Sequence, residues 1–213
     1  MYALTWTSQT QTLCGSYAAA NALLDELAGL VDEKGAALWN PLRLMYQGTL
    51  MVLTGKGADA VQTITSGLTA WRSMGATMTS LFLSSLALAH AKIDQIDDAW
   101  RCIGEAMTAV ETTKERWFEA EIHRVAGEIA LMLPDHDPAK AEADFQRALL
   151  VSRRQQAKSW ELRAAISMAR LWRDQGKRQK AQDLLAPVYG WFTEGFDTPD
   201  LKEAKSLLEQ LKA

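Results

Sequence analysis

"AEADFQRA" (residues 141–148) is the stretch on which the fold turns. A small residue, Ala141, is followed four positions later by the large apolar Phe145 and seven positions later by the small Ala148. The same arrangement recurs along the chain. Ala60, Ala99, Ala141 and Ala181 are separated by 39, 42 and 40 residues. Ile64, Ile103, Phe145 and Leu185 stand at the fourth position after them, and Gly67, Ala106, Ala148 and Val188 at the seventh. Twelve residues before the first, second and fourth anchors come Gly48, Ala87 and Ala169. The third spacing is two residues longer and reaches Gly127, across the loop "LPDHDPAK" (133–140). Forty residues before Ala60 stands Ala20, followed by Leu24 and Leu27, which makes an incomplete fifth copy. Small residues at such offsets let two helix backbones approach closely, and the bulky residue one turn on fills the groove between them.

The intervening residues carry apolar side chains three and four positions apart, the helical period. Turn signals separate them: "EKGA" (33–36), "GKGA" (55–58), "SMGAT" (73–77), "DQIDD" (94–98), "PDHDP" (134–138) and "DQGK" (174–177). No stretch alternates with period two for long enough to demand a sheet. The expectation is an all-α fold of antiparallel helix pairs. Its helices fall at about 2–12, 16–34, 37–54, 58–74, 77–93, 96–113, 116–133, 138–156, 158–175 and 178–193, with a lone capping helix at 199–212. As a single repeat domain over 1–213, this gives an incomplete first repeat at 1–35, repeats at 36–75, 76–114, 115–156 and 157–195, and a cap at 196–213. "WFTEGF" (191–196) is read as the end of the last paired helix, with Gly195 as its stop. Asp197 or Thr198 then caps the final helix, and Pro199 and Asp200 occupy its first turn.

The repeat resembles the tetratricopeptide repeat, with a period near 40 in place of 34, no closing proline and an irregular leading tryptophan (Trp39, Trp117, Trp160). Three segments look like the C-terminal helical region of bacterial multidomain regulators: "ERWFEAEIHRVAGEIAL" (115–131), "SWELRAAISMARLW" (159–172) and "LLAPVYGWFTEGFDTPDLKEAKSLLEQL" (184–211). Those proteins join an adenylate or guanylate cyclase, or a DNA-binding output domain, to a STAND-type ATPase and then to such repeats. The resemblance implies a right-handed superhelix and a chain that is part of a longer cytoplasmic protein. It implies a regulatory or scaffolding role with no catalysis in this region. The partner is expected to be a protein or peptide, acidic for an arginine-lined site, or the protein's own upstream domains. A small-molecule effector bound in the concave groove is the alternative. The first helix starts inside its repeat at residue 1, with no room for a polar capping helix, which agrees with an upstream continuation.

Composition is compatible with this reading. The 213 residues are 48% hydrophobic and 23% charged, and the net charge of −3 provides no basic footprint for nucleic acid. No run of about 18 uncharged apolar residues suggests a membrane span. The start "MYALTWTSQT" has no basic region followed by an apolar one, as a signal peptide would. Two cysteines, Cys14 and Cys102, form neither a disulfide framework nor a zinc pattern. Charge is uneven: residues 1–110 carry 6 Lys/Arg and 9 Asp/Glu, and residues 111–213 carry 17 of each.

No catalytic constellation stands out. "GKG" (55–57) lacks the glycine and hydroxyl residue of a phosphate loop, since Leu50 and Gly57 occupy those places. Asp135, His136 and Asp137 offer three donors between two prolines that suit a helix stop and start. His90 and His123 fall at unrelated repeat positions, and Cys102 is expected in the core. No cofactor or metal is expected. By the resemblance, the groove is lined by Leu42, Met45, Thr49 and Val52; by Leu81, Ser84, Leu88 and Ala91; by Glu121, Arg124, Glu128 and Leu131; and by Arg163, Ile166, Arg170 and Arg173. The candidate partner contacts are Leu42, Met45, Leu81 and Leu88, expected as an exposed apolar strip, and Arg124, Arg163, Arg170 and Arg173. The apolar strip would serve a homodimer through the N-terminal repeats or an incoming helix. The arginines either pair with Glu121 and Glu128 across neighbouring helices or form an anion site.

Overall fold

A computed structural model describes residues 1–76, 78–133 and 136–212. Among these residues the fold is all-α, with eleven α-helices and no strand. The helices are α1 (Tyr2–Leu13), α2 (Tyr17–Lys34), α3 (Asn40–Leu53), α4 (Gly57–Ser73), α5 (Ser80–Ala91) and α6 (Ile96–Thr113) in the first half. The second half holds α7 (Glu119–Met132), α8 (Pro138–Arg154), α9 (Lys158–Asp174), α10 (Arg178–Tyr189) and α11 (Pro199–Lys212). The expected single array resolves into two compact units, Met1–Glu115 and Arg116–Ala213. Their boundary falls where the charge-poor half of the sequence gives way to the charge-rich half. None of the helices is long and apolar enough to cross a membrane.

The repeat anchors are core residues. Ala60, Ala99, Ala141 and Ala181 are fully buried, as are Ile64, Phe145 and Leu185. Ala20, Leu24 and Leu27 of the incomplete copy are buried in the same way. Helix pairs close on the small residues. A methyl group on Gly48 of α3 would collide with Ile64 of α4, and one on Gly127 of α7 would run into the Phe145 ring of α8. A Cβ on Gly67 of α4 would stand 2.8 Å from the Pro41 carbonyl oxygen and 2.7 Å from Met45 Cγ on α3. The bulky residue at the fourth position therefore sits on the small residue of the preceding helix, as the spacing predicts.

Bonds at repeat spacing tie one pair to the next. In the first unit Tyr46 Oη donates to Gln9 Oε1 (2.8 Å). Lys92 Nζ donates to the Val52 carbonyl (2.8 Å) in the last turn of α3, where a cation suits the helix end. In the second unit Gln155 Nε2 donates to the Arg116 carbonyl (2.8 Å).

Some helix ends differ from expectation. Residues 37–39 form a short 3-10 turn, and α3 starts at Asn40 with Pro41 in its first turn, where a missing N–H costs nothing. α5 and α7 start three residues later than predicted. α10 ends at Tyr189, four residues early. Pro187 within it cannot donate to the Asp183 carbonyl, and Gly190 follows directly. Trp191 and Phe192 thus lie beyond the helix. Trp191 is 57% exposed and packs edge-on against Phe192 at 5.2 Å between centroids. Gly195 does mark a reversal, at φ +76°.

Gly67→Ala should lower the unfolding free energy by about 2 kcal/mol, because a backbone carbonyl cannot yield to the new methyl. Gly104→Ala has open space around it on α6 and should raise stability by roughly 0.5–1 kcal/mol. Urea denaturation of the two variants against the parent chain measures both.

Candidate functional site

In the Arg116–Ala213 unit, the first helices α7, α9 and α11 stand side by side and are joined by charged side chains. On α7, Glu121 and Arg124 are three residues apart, one turn on a single face. They form a two-pronged pair: Arg124 Nη2 to Glu121 Oε1 at 2.7 Å and Arg124 Nε to Glu121 Oε2 at 2.8 Å. Arg124 Nη1 also reaches Glu128 Oε1 (3.1 Å). Glu128 Oε1 then accepts from two groups of α9, Ser167 Oγ at 2.6 Å and Arg170 Nη2 at 3.0 Å. From α9 the ladder continues to α11. Arg163 Nε donates to Asp200 Oδ2 at 2.7 Å, and Arg170 Nη1 lies 3.1 Å from Glu203 Oε1. Arg163 Nη1 is also 3.8 Å from Glu121 Oε1, and its guanidinium lies over the Trp160 ring at 5.2 Å. Arg173 sits at the far end, bonded to Asp174 Oδ1 (2.9 Å) and Gln210 Oε1 (2.8 Å).

Burial grades this ladder. Side-chain exposure is 8% for Glu121 and 17% for Arg124, against 41% for Arg170 and 46% for Glu203. Burial pushes the Glu121 carboxyl up, but the charge and hydrogen bonds of Arg124, with Arg163 behind it, more than reverse this and hold it below its ordinary 4.5. Burial alone would lower the Arg124 guanidinium; Glu121 and Glu128 raise it instead. The arginines are therefore matched: each has a carboxylate within 3.1 Å. The cross-helix contacts Arg163–Glu121 (3.8 Å) and Arg170–Glu128 (3.0 Å) are present, while Arg124 pairs within α7 and Arg173 with Asp174. Asp200, Glu203 and Ser167 were not among the sequence candidates. The available signal was distance along the chain: Arg163 to Asp200 and Arg173 to Gln210 both span 37 residues, close to the repeat period.

The four apolar candidates lie in the Met1–Glu115 unit. The exposed strip expected of them is not present. Met45 is fully buried against Gly67, and Leu81 is 7% exposed; Leu42 and Leu88 are half-buried. The reason is the tight closure of α3 on α4, which draws Met45 inward, and the surroundings of α5, which bury ten of its twelve residues.

Other candidates resolve into structural roles. "GKG" is a turn, with Gly55 at φ +87° and Gly57 opening α4. Asp137 caps α8, accepting from Lys140 N at 2.9 Å, and His136 Nδ1 donates to the Leu131 carbonyl at 2.6 Å; Asp135 lies outside the described residues. His90 Nδ1 donates to Gln95 Oε1 (2.6 Å). His123 is half-buried, and burial pushes it down. Cys102 is buried, and burial pushes its thiol up to about 11, away from the reactive thiolate. Among the described residues no group of three or more His, Cys, Asp or Glu is placed to hold a metal ion. Most tryptophans are half-buried; Trp172 is buried, with the Lys180 ammonium 3.9 Å from its ring centroid. What the fold and the site define is an all-α array of paired helices with a charge-matched face. No protein-family model matches the chain, and no curated protein sequence matches it.

A carboxylate depressed in the folded chain stabilises fully above its unfolded value and loses that contribution as the pH falls through its folded value. For Glu121 the loss therefore lies below about 4.5. Glu121→Gln removes the two-pronged carboxylate of the half-buried Arg124 guanidinium, leaving it Glu128 alone as a carboxylate partner, and should cost about 3 kcal/mol at pH 7. The gap to the parent chain should narrow as the pH is taken from 7 down to about 3, because the carboxylate of the parent chain is then being protonated too. Urea midpoints at the two pH values measure this.

Proposed function

We propose that the chain is a non-catalytic, TPR-like helical-repeat region. It recognises a protein or peptide partner, or the upstream domains of its own longer polypeptide, and so regulates an ATPase coupled to a cyclase or DNA-binding output domain. One observation carries the repeat reading. Within each unit, first helices pack against first helices (α1–α3–α5 and α7–α9–α11). Among the described residues the second helices of a unit do not pack backbone to backbone and meet only through long side chains, Arg72–Glu105 (3.0 Å) and Lys180–Glu142 (3.4 Å). Rods that touch along one side and splay on the other trace an arc with the touching side inward. That supports a concave face built from first helices, the extended surface through which repeat arrays bind.

The ladder defines how an acidic segment would engage that face. The arginines are already matched, so a partner carboxylate exchanges for Glu203 or Glu128 at Arg170, the most exposed arginine of the ladder. The coding sequence tests the regulatory reading: an ATPase and an output domain encoded in frame before residue 1 are expected. A frame that opens at Met1 with neither domain overturns it.

Two charge reversals test the face itself. Arg170→Glu should keep the fold within about 1 kcal/mol, as expected for a half-exposed pair, and weaken partner binding by roughly tenfold or more. Arg163→Glu places a third carboxylate beside Glu121 and Asp200 and should cost about 3 kcal/mol. Thermal unfolding and titration against the isolated upstream domains read the two effects separately.

A further inference from the structure

Where the first helices of the Arg116–Ala213 unit begin, the chain places indoles and cations together. Trp117 precedes α7, Trp160 lies in the first turn of α9, and Trp191 follows the end of α10. Trp117 packs edge-on against Phe118 (5.1 Å), and Phe118 against Trp160 (5.4 Å). The Lys158 ammonium lies 5.7 Å from the centroid of the Trp191 ring. Gln155, bonded to the Arg116 carbonyl, draws the end of α8 to the same edge. Phe118 is buried, but Trp117 and Trp191 are exposed. Packed helices lie about 8–10 Å apart, so the row from Trp117 past Trp160 to Trp191 spans roughly 20 Å.

The charges of this edge are layered. Glu119 accepts from Arg116 Nη1 with both oxygens (3.1 and 3.0 Å). Glu161 accepts from Arg153 Nε (2.8 Å) and Lys158 Nζ (2.7 Å). The two carboxylate side chains are 9% and 6% exposed, whereas Arg116 and Arg153 are 44% and 52% exposed. The acids thus lie beneath and hold the cations, and the cations face outward. Burial of a carboxylate is tolerated only when it is paired in this way. Arg154, exposed in the last turn of α8, has no carboxylate partner among the described residues. Four cations therefore stand over two hidden carboxylates. The exposed Glu194 and Asp197 lie beyond Trp191, in the turns toward α11. In the ladder, by contrast, Glu203 is about as exposed as the arginine it meets.

We infer that this edge docks an extended acidic segment of a partner protein, one in which carboxylates alternate with prolines. The surplus of two cations matches two carboxylates. It is too small for nucleic acid, whose backbone brings a charge with every nucleotide. Exposed indoles take proline rings, as aromatic-lined surfaces do in binding proline-rich segments. Such a segment is extended without hydrogen bonds of its own and covers the row in roughly six or seven residues. The chain's own acids lie in helices, as Asp25 and Asp98 do, or in turns, as Glu194 and Asp197 do. A second copy therefore has no extended acidic strand to offer among the described residues. The site is separate from the exchange at Arg170 and does not depend on the regulatory reading.

Fluorescence anisotropy tests this with a labelled peptide of about ten residues that alternates Glu and Pro. A Kd on the order of 100 µM is expected. Replacing Glu by Gln, or Pro by Gly, throughout the peptide should weaken binding by about tenfold or more. Trp191→Ala and Arg154→Glu should each weaken it by about tenfold. Both side chains are exposed, one beyond a helix and one in a last turn, so the fold survives; far-ultraviolet circular dichroism checks this. Should a variant misfold, the two altered peptides decide, because they leave the chain untouched. Arg170→Glu, on the ladder, should leave this binding unchanged. No binding at about 1 mM, altered peptides that bind as tightly, or binding that survives either edge variant would overturn the inference. Loss of binding in Arg170→Glu puts the peptide on the ladder and overturns it as well. So does an equally tight complex with a labelled oligothymidine of similar length, which gives the edge to nucleic acid. Sedimentation of the chain alone and titration of the longer polypeptide read in frame test the remaining occupants. A dimer dissolved by Trp191→Ala gives the edge to a second copy, and a longer polypeptide that rejects the peptide gives it to the upstream segment; either result overturns the inference.

Discussion

The structure depends on how closely two helices can approach at a residue without a side chain. Gly67 lies against the Pro41 carbonyl, Gly48 against Ile64, and Gly127 against Phe145. The first two contacts set the spacing of α3 on α4 and the third that of α7 on α8, and the large residue that fills each gap fixes the pair's axial register. Once the pairs are fixed, the residues that meet between pairs are also fixed. That is why Lys92 reaches the end of α3, Tyr46 reaches Gln9 and Gln155 reaches Arg116, each across 37 to 40 residues.

Between first helices the two units use different chemistry. In the first unit α5 is apolar nearly all round, and α3 offers Met45 and Leu50 to the core. In the second, α7, α9 and α11 meet through Glu121, Arg124, Glu128, Arg163, Arg170, Asp200 and Glu203. Half-buried ion pairs contribute less to stability than the same volume of hydrocarbon, but they punish misalignment, because a lost partner leaves a desolvated charge. The two-pronged Glu121–Arg124 pair is the most buried part and orients the rest, and Arg170 and Glu203 form its wet edge.

What was legible in the sequence was whatever depends on local period and on turn chemistry. Ala60, Ala99, Ala141 and Ala181 recur at nearly constant distance, and all four are core residues. Helix ends set by glycine, at Gly55 and Gly176, fell where expected, with both in the left-handed region. The ends that moved are the end of α10, where Pro187 acts inside the helix, and the starts of α3, α5 and α7, each three residues later than the periodicity placed it. Site residues were legible only in part. Glu121–Arg163 and Glu128–Arg170 follow from one repeat offset, but Asp200 and Glu203 belong to the capping helix, which has no anchor to count from. The exposure of Met45 and Leu81 was misjudged because a lining position says which side a residue faces, and not how tightly the neighbouring helix closes over it.

The outward face of α11 has one more consequence. Beyond Pro199 in its first turn, its exposed positions are Lys202, Glu203, Lys205, Ser206, Glu209, Gln210 and Lys212, with both signs of charge mixed and no apolar side chain. Such a surface is matched within itself: each charge has an opposite neighbour, and it offers little apolar area for another molecule to cover. α11 closes the apolar core of its own unit with Leu201, Ala204, Leu207, Leu208 and Leu211 and turns a charge-mixed side to water.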